Sequence, residues 1–401
     1  MRVWLADAWD PVRPLLVWRC LLTDSVWAVP SCPTQWFGRG LPTWADRVVA
    51  DEIRAAGAVG PPLGAGMNLA APTLLAHGSD EFNERILRPT ITGEVTWTQL
   101  FSEPGAGSDL AGLRTTAVRD GDDWVVNGQK VWNTSAHHAD FAMLVARTDW
   151  DVPKHAGISY FVLPMRQPGV ETRPIVQMNR HRSFNEVFLT DARISATHLV
   201  GTVGDGWRVA RTTLMHERTF ATLRRQSFAT ITGRTVAEAA DESAEHFATY
   251  AWYPQRAGRA DLLGERAHRR RRSDDPTVRE AIADVESFRR ANEWTASRAR
   301  AARALGRPPG PEGSLGKLAA SELARRASRA HGSIAGAEGM LTELPGDDDA
   351  AVVAEVLVST PAQSIAGGTD EIQHNIIGEN VLGLPREPAT DREVPFRDVA
   401  Q

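Results

Sequence analysis

Apolar positions along the chain repeat in three successive rhythms. To about Ile91 they recur at helical spacing in short runs, Val48 to Ala56, Asn68 to His77 and Glu81 to Leu87, separated by Gly and Pro breaks. From Glu94 the rhythm becomes alternation, with β-branched and aromatic residues taking turns with polar ones and turn residues at short intervals. Strands are predicted at Ala142 to Arg147, Ile158 to Leu163, Thr172 to Gln177 and Glu186 to Leu189. The sharpest local signal is Trp124-Val125-Val126, Asn127-Gly128, Gln129-Lys130-Val131-Trp132. It reads as a β-hairpin, because Asn-Gly supplies the positive φ angles of a type I′ turn. After Gly206 helical spacing returns and holds to about Leu382, punctuated near Arg307 to Gly313 and Leu344 to Gly346. The expected fold is therefore α+β: an N-terminal helical domain over 1–93, a central antiparallel β domain over 94–204 and a C-terminal helical bundle over 205–401. No internal repeat of fixed period is present.

A length of 401 residues with 42% hydrophobic content allows two or three packed units without disulfide or metal support. The net charge of -5 is modest and spread along the chain, so no field draws the protein to nucleic acid or to an anionic membrane. Cys20 and Cys32 are too few for a disulfide framework and lack zinc-site spacing, which makes reducing cytoplasm the expected compartment and leaves no metal site. The opening MRVWLADAWD is interrupted by acidic residues and Pro11, and no later run approaches ~20 apolar residues, so neither signal peptide nor membrane span is expected. The run Arg269 to Arg272 precedes Asp275-Pro276, a good N-cap and first-turn pair, and reads as a solvated loop entering a helix.

Two segments carry candidate chemistry. In the helix predicted from Gly206 to Leu223, Trp207, Ala210, Leu214, Glu217 and Ala221 share one face. A carboxylate on an apolar stripe is desolvated, which raises its pKa and suits a general base for a weakly acidic carbon. Pairing with Arg211 or Arg218 is the competing reading of this helix alone. The other segment, Ser102-Glu103-Pro104-Gly105-Ala106-Gly107-Ser108-Asp109, permits a sharp turn with exposed N–H groups, and Ser108 adds a hydroxyl suited to phosphate or flavin edges.

This stretch closely resembles the signature of the acyl-CoA dehydrogenase family, Thr/Ser-Glu-Pro-Gly-Ala-Gly-Ser-Asp. The resemblance continues through Asn127 to Ser135, similar to the family's second flavin-contacting strand, and through Phe184 to Phe188, similar to the strand closing its β domain. Near the C-terminus, Ile365-Ala366-Gly367-Gly368-Thr369-Asp370-Glu371-Ile372-Gln373 and Val381 to Arg386 resemble the last active-site loop and helix. The resemblance implies FAD held between the last two domains. Phe101 and Trp132 would pack at the isoalloxazine, and Ser102 and Thr134 would hydrogen-bond its polar edge. Gly367 and Gly368 would let the backbone lie close, and Thr369 and Glu371 would meet the adenine nucleotide; a first-turn carboxylate favouring the helix dipole is the other reading of Glu371. Ser108 and Arg218 are carried over as contacts of the acyl-CoA substrate.

Much of the family places its catalytic glutamate where this chain has Gly367, which cannot act as a base. A smaller group carries it on the helix where His216-Glu217-Arg218 stands, so the resemblance assigns the base to Glu217. It would remove the α-proton while hydride leaves the β-carbon for the flavin, with the backbone N–H of Glu217 and a ribityl hydroxyl supporting the thioester oxygen. An electron-transfer flavoprotein or similar acceptor would reoxidise the cofactor. Ala366 and Gly367 leave room for a bulky or branched acyl group. Two alternatives share the fold: a flavin monooxygenase, which needs no carboxylate base, and a non-catalytic subunit completing a partner's flavin site.

Two features depart from the family. The Arg-x-x-Phe-Gly segment, whose arginine meets the flavin diphosphate across a subunit interface in homotetramers, is missing from the third domain; the only Phe-Gly is Phe37-Gly38. A short acidic link, Gly346 to Ala350, stands where relatives carry a longer loop. A homo-oligomer would then rely on Arg266 or one of Arg269 to Arg272, and a hetero-oligomer on a related partner chain.

Overall fold

The computed structural model describes residues 1–220, 232–305, 310, 312–342, 349–386, 388, 391 and 393–399. Ala221 at the end of the Glu217 stripe, Arg307 and the punctuation at Leu344 to Gly346 lie outside the described residues, as does the side chain of Arg218. By contacts the chain forms two compact units, one of Met1–Ile175, Arg182–Thr249 and Ala389–Gln401, the other of Val176–His181 and Tyr250–Pro388.

The first unit opens with helices α1 (Arg2–Ala8), α2 (Leu15–Asp24) and α3 (Trp44–Ala55), then a π-turn at Gly66–Ala70 leading into α4 (Ala71–His77), then α5 (Asp80–Thr92). Helix α5 shows why such helices form where they do. The Ser79 side chain accepts the Phe82 N–H, Asp80 and Glu81 sit in the first turn, and Gly93 at φ 82° ends the helix in a conformation that costs glycine nothing. Helix α3 buries Ala45, Val49 and Ile53, four residues apart.

Eight strands follow: β1 (Trp97–Leu100), β2 (Thr116–Asp120), β3 (Asp123–Thr134), β4 (Phe141–Arg147), β5 (Ile158–Pro164), β6 (Val170–Ile175), β7 (Phe184–Ser195) and β8 (Leu199–Val200). They make one sheet in the order β6-β7-β3-β2-β4-β5-β8, with β1 beside β4. Most pairings are antiparallel, but β1 pairs parallel with β4 and β2 makes a short parallel contact with it. Alternation cannot reveal those pairings, since strand direction is decided by long connections. Met143, Val145, Tyr160 and Val162 face the helices, while Leu144, Ala146, Phe161 and Leu163 join a second core on the other face. Burial on both faces is why β4 and β5 read as nearly continuous apolar runs.

The expected hairpin at Asn127-Gly128 is not there. Strand β3 runs straight through it, and the true turn lies at Gly121-Asp122, where β2 and β3 meet. Asn127-Gly128 is a bulge against β7: the register shifts between Val126 and Gly128, and the Asn127 side chain bonds Asp191 in both directions. A Cβ at Gly128 would lie 2.4 Å from Thr115 Oγ1, so glycine serves close backbone approach here rather than a turn. Strand β7 also reaches well past the expected Glu186 to Leu189. Helices α6 (Gly206–Phe220) and α7 (Arg234–Ala248) complete the unit.

The second unit contains α8 (Tyr253–Arg256), α9 (Leu263–Arg269), α10 (Pro276–Ala304), α11 (Glu312–Ala335), α12 (Asp349–Ser359), α13 (Pro361–Ile365) and α14 (Asp370–Asn380). Asp275 caps α10 as its sequence suggests, its carboxylate accepting the Thr277 N–H at 2.9 Å. Leu263, Ala267, Val278, Val285, Ala327, Ala330 and Ile334 form the core. Among the described residues one stretch, Ala350–Asn380, is long and apolar enough to cross a membrane by length and composition alone. It is not a continuous apolar run, and it is broken into α12, α13 and α14 at Pro361 and at Gly367-Gly368.

Candidate active site

In the first unit, β1 delivers Phe101 and Ser102 beside β3. The Ser102 carbonyl accepts the Val131 N–H at 2.9 Å, Thr98 donates to the Thr134 carbonyl at 2.8 Å, and the Asn133 amide donates to the Gln99 carbonyl at 2.8 Å. The structure thus brings Ser102, Trp132 and Thr134 onto two adjacent backbone stretches. Beneath them lies a buried ion pair that sequence reasoning did not single out. The Lys130 ammonium, fully buried, donates to the Glu103 carboxylate at 2.8 Å and to the Phe101 carbonyl at 3.0 Å. The same carboxylate accepts the backbone N–H groups of Arg114 at 2.6 Å and Thr115 at 2.9 Å. Burial pushes Lys130 down to about 8, with Glu103 pulling it part of the way back. Burial also acts to raise the Glu103 carboxyl, but Lys130 and the two N–H donors outweigh it and hold it below its ordinary value. A lysine at an inward position of a strand was the available signal.

Trp132 is 58% exposed and sits at φ 63° in a second register break of β3, its ring edge-on to Phe184 at 5.9 Å. A bulky residue in the left-handed region is strained by about 1–3 kcal/mol. Strain plus exposure does not describe a core aromatic, and it fits a face kept open for a flat ring. Phe101 is buried against Tyr160, ring centroids 5.9 Å apart and nearly perpendicular. Ser102 and Thr134 are half-buried; Ser108 is exposed at the loop tip, next to an Asp109–Lys154 pair of 3.0 Å.

On α6 the buried positions are Gly206, Val209, Ala210 and Thr213, and Glu217 follows Thr213 one turn later as a half-buried residue. The expected stripe is therefore rotated slightly, and desolvation of Glu217 by the chain itself is only partial. The expected oxyanion role of its backbone N–H is also corrected: Glu217 lies inside the helix, where its N–H serves the Thr213 carbonyl. His216, half-buried and lowered by burial, lines a cavity of about 600 Å³ in the same unit. Its walls are mainly apolar, with Trp27, Trp36, Ile53, Met67, Ala71 and Leu75 prominent, and the π-turn before α4 supplies Met67 and Asn68. Native interiors leave few voids larger than a water molecule, whereas ligand pockets span roughly 300–1,000 Å³.

In the second unit, Gly367 and Gly368 have φ angles of 69° and 84°. A Cβ on Gly368 would lie 2.7 Å from the Gln373 amide, whereas one on Gly367 would meet nothing, so that turn has an open face. Thr369 caps α14, accepting the Ile372 N–H. Glu371 is exposed, and its carboxyl is lowered by its own backbone N–H and by the Thr369 hydroxyl, the helix-dipole role weighed from sequence. Asp370, which sequence reasoning passed over, anchors the loop: Lys317 and Arg325 of α11 reach its buried carboxylate at 2.9 and 2.7 Å. Burial opposes ionisation there, yet the hydrogen bonds from Lys317, Ser321 and Arg325 hold the carboxyl far below the ordinary carboxylate range. A depressed folded-state value contributes stability that is complete above the unfolded pKa, about 3.9, and is lost as pH falls below it. Thermal melts of Asp370→Asn should accordingly lose part of the wild-type destabilisation between about pH 5 and pH 2. Identical acid profiles for the two proteins would remove Asp370 as an acid-sensitive anchor.

Three family models match in chain order: acyl-CoA dehydrogenase N-terminal domain over residues 13–94, middle domain over 98–203 and C-terminal domain over 248–382. Among curated relatives, acyl-CoA dehydrogenase IpdE1 of Mycobacterium tuberculosis (strain ATCC 25618 / H37Rv) is 38% identical over 361 residues, covering 88% of this chain and 84% of the relative. The chain belongs to the acyl-CoA dehydrogenase family. Among solved structures, the ChsE4–ChsE5 complex from Mycobacterium tuberculosis matches at 28% identity and TM-score 0.66, over 93% of this chain and 90% of that one. A variant of the Tcur3481–Tcur3483 steroid ACAD matches at 25% identity and TM-score 0.66, over 94% and 91%. Family membership makes this acyl-CoA dehydrogenase an oxidoreductase acting on CH–CH bonds of acyl-CoA, in a flavin-dependent family. Its fold is the family's, with N-terminal helices, a central β-sheet domain and C-terminal helices.

Proposed function

We propose that this dehydrogenase uses FAD to desaturate the thioester of a bulky, ring-containing acyl group, with Glu217 as the base. The observation that carries the substrate class is the cavity of about 600 Å³, whose wall includes His216, the neighbour of Glu217 on α6. A volume of that size can take a ring system, and a similar solved enzyme is a steroid ACAD.

The residues fit a flavin. Trp132 offers an exposed indole face, Phe101 backs the segment beside it, and Ser102 and Thr134 offer hydroxyls on the neighbouring backbone stretches. In the second unit, Gly367 and Gly368 form a turn with an open face ahead of the α14 N-terminus, where Thr369 and Glu371 are the nucleotide contacts proposed. FAD, when bound, supplies the hydride acceptor. The chain's own part is to take the α-proton on the Glu217 carboxylate, orient the thioester with Ser108 and Arg218 at its polar end, and exclude water around the acyl group. An electron-transfer flavoprotein or a similar acceptor then takes the electrons.

Acyl thioesters compared by flavin bleaching test the substrate class. A polycyclic propanoyl-CoA should be oxidised with a higher kcat/KM than octanoyl-CoA or isovaleryl-CoA. Ala71→Phe, which fills the cavity from α4, should lower kcat/KM for the polycyclic substrate by about tenfold, or about 1.4 kcal/mol, and leave octanoyl-CoA nearly unchanged. Equal losses on both substrates would argue against a cavity that holds the ring system.

A mixed oligomer is the second proposal. Of the in-chain substitutes for the missing interface arginine, Arg266 is 1% exposed in the second unit's core and bonds His331 at 2.7 Å. Arg270 pairs with Glu338, and Arg272 with Asp275 and the Ser333 carbonyl. Arg269 lies 3.7 Å from Glu265 on α9. These are structural commitments, leaving Arg271 as the in-chain candidate and strengthening the case for a related partner chain. Native mass measurement should find fewer flavins than subunits and a stable complex only on co-expression with such a chain. A homo-oligomer with one FAD per chain and full activity would contradict this.

A further inference from the structure

Three buried hydroxyls from three elements meet on the helix of the proposed base. Thr213 of α6 lies 3.0 Å from the Thr73 hydroxyl of α4 and 3.1 Å from the Tyr160 hydroxyl of β5, and the three residues are 0–1% exposed. Burial pushes the Tyr160 phenol well above its ordinary value, so it stays a protonated hydroxyl able to share a hydrogen bond with Thr213. The Tyr160 ring packs edge-on to Phe101, the residue before Ser102. Hydroxyls in an apolar interior are costly unless every one is bonded, and here three apolar side chains of similar size would have filled the same space. What hydroxyls add over methyls is direction: they define one axial position and one rotation of α6 against β5 and α4.

We propose that the Thr73–Thr213–Tyr160 cluster is a positioning device that sets the register of α6 and so places the Glu217 carboxylate, one turn beyond Thr213, over the substrate α-carbon. This rests on Glu217 being the base. Proton transfer depends steeply on geometry, and a misplacement near 1 Å can cost about 100-fold. Thr213→Val keeps the shape of the side chain and removes the shared partner of Thr73 and Tyr160. Thr213→Ser keeps the hydroxyl.

The experiment follows deuterium incorporation at the α-carbon of 3,3-dimethylbutanoyl-CoA in D2O by mass spectrometry. This thioester has no β-hydrogen, so exchange reads proton transfer without hydride transfer. Bound flavin and the thioester Kd are measured on the same FAD-loaded preparations. Thr213→Val should exchange about 10–100-fold more slowly, with flavin content and Kd within about twofold of wild type, and Thr213→Ser should recover to within about threefold. Wild-type exchange in Thr213→Val, with exchange abolished in Glu217→Gln, would overturn the positioning role and leave the base intact. Wild-type exchange in Glu217→Gln would remove the base and this inference with it. Should Thr213→Val fail to fold, Tyr160→Phe keeps the ring against Phe101 and leaves Thr213 bonded to Thr73. It should slow exchange about threefold or more, and an unchanged rate there would overturn the inference.

Discussion

Glu217→Gln should retain its fold and its flavin while losing substrate-driven flavin bleaching by on the order of 10³-fold. The amide has the size and nearly the shape of the carboxylate but cannot accept the α-proton, and a positioned general base contributes about 10²–10⁴-fold. The position matters as much as the group. Glu217 stands one turn beyond the buried Thr213 of α6, next to His216 on the cavity wall, and Gly367, the family's other location for a base, has no side chain. Bleaching by Glu217→Gln at the wild-type rate would end the assignment.

Lys130→Met should destabilise the protein by about 3–5 kcal/mol and empty it of flavin. The lysine is fully buried, and removing it leaves the Glu103 carboxylate in the interior without its ammonium partner, compensated in part by the Arg114 and Thr115 N–H groups and by the more distant Arg147 charge. It also frees the Phe101 carbonyl, so the segment carrying Ser102 loses the bond that seats it. The double variant Lys130→Met with Glu103→Gln should regain part of the stability, because the uncompensated charge has gone. Denaturant unfolding and flavin absorbance after gel filtration measure both effects. A single variant as stable as wild type and holding its flavin would show that the pair is dispensable.

Much of this organisation was legible along the chain. Helical, alternating and helical rhythms gave the order of the elements, and the motifs at Ser102 to Asp109, Asn127 to Ser135 and Gly367 to Glu371 carried the family. What escaped depends on contacts between distant residues. Asn127-Gly128 has the local chemistry of a turn, and only the approach of Thr115 and Asp191 from other parts of the sheet makes it a bulge. The clamp on Asp370 needs Lys317 and Arg325, more than forty residues away in sequence. The helical face of α6 was read from apolar side chains alone, so the polar Thr213 at its centre was missed. The face could be read, but its partners Tyr160 and Thr73 could not.

The most direct test mixes the FAD-loaded protein, in the oligomer in which it is isolated, with a polycyclic propanoyl-CoA under anaerobic conditions, and follows the visible flavin band and the product mass together. Rapid bleaching with a product lighter by one H2, unsaturated between the α- and β-carbons, is the predicted result. A flavin that stays oxidised with this thioester yet bleaches with octanoyl-CoA would contradict the assignment of the cavity to a ring-containing acyl group. A flavin that stays oxidised with every thioester, alone and with a co-expressed partner chain, would contradict the dehydrogenase mechanism proposed for Glu217.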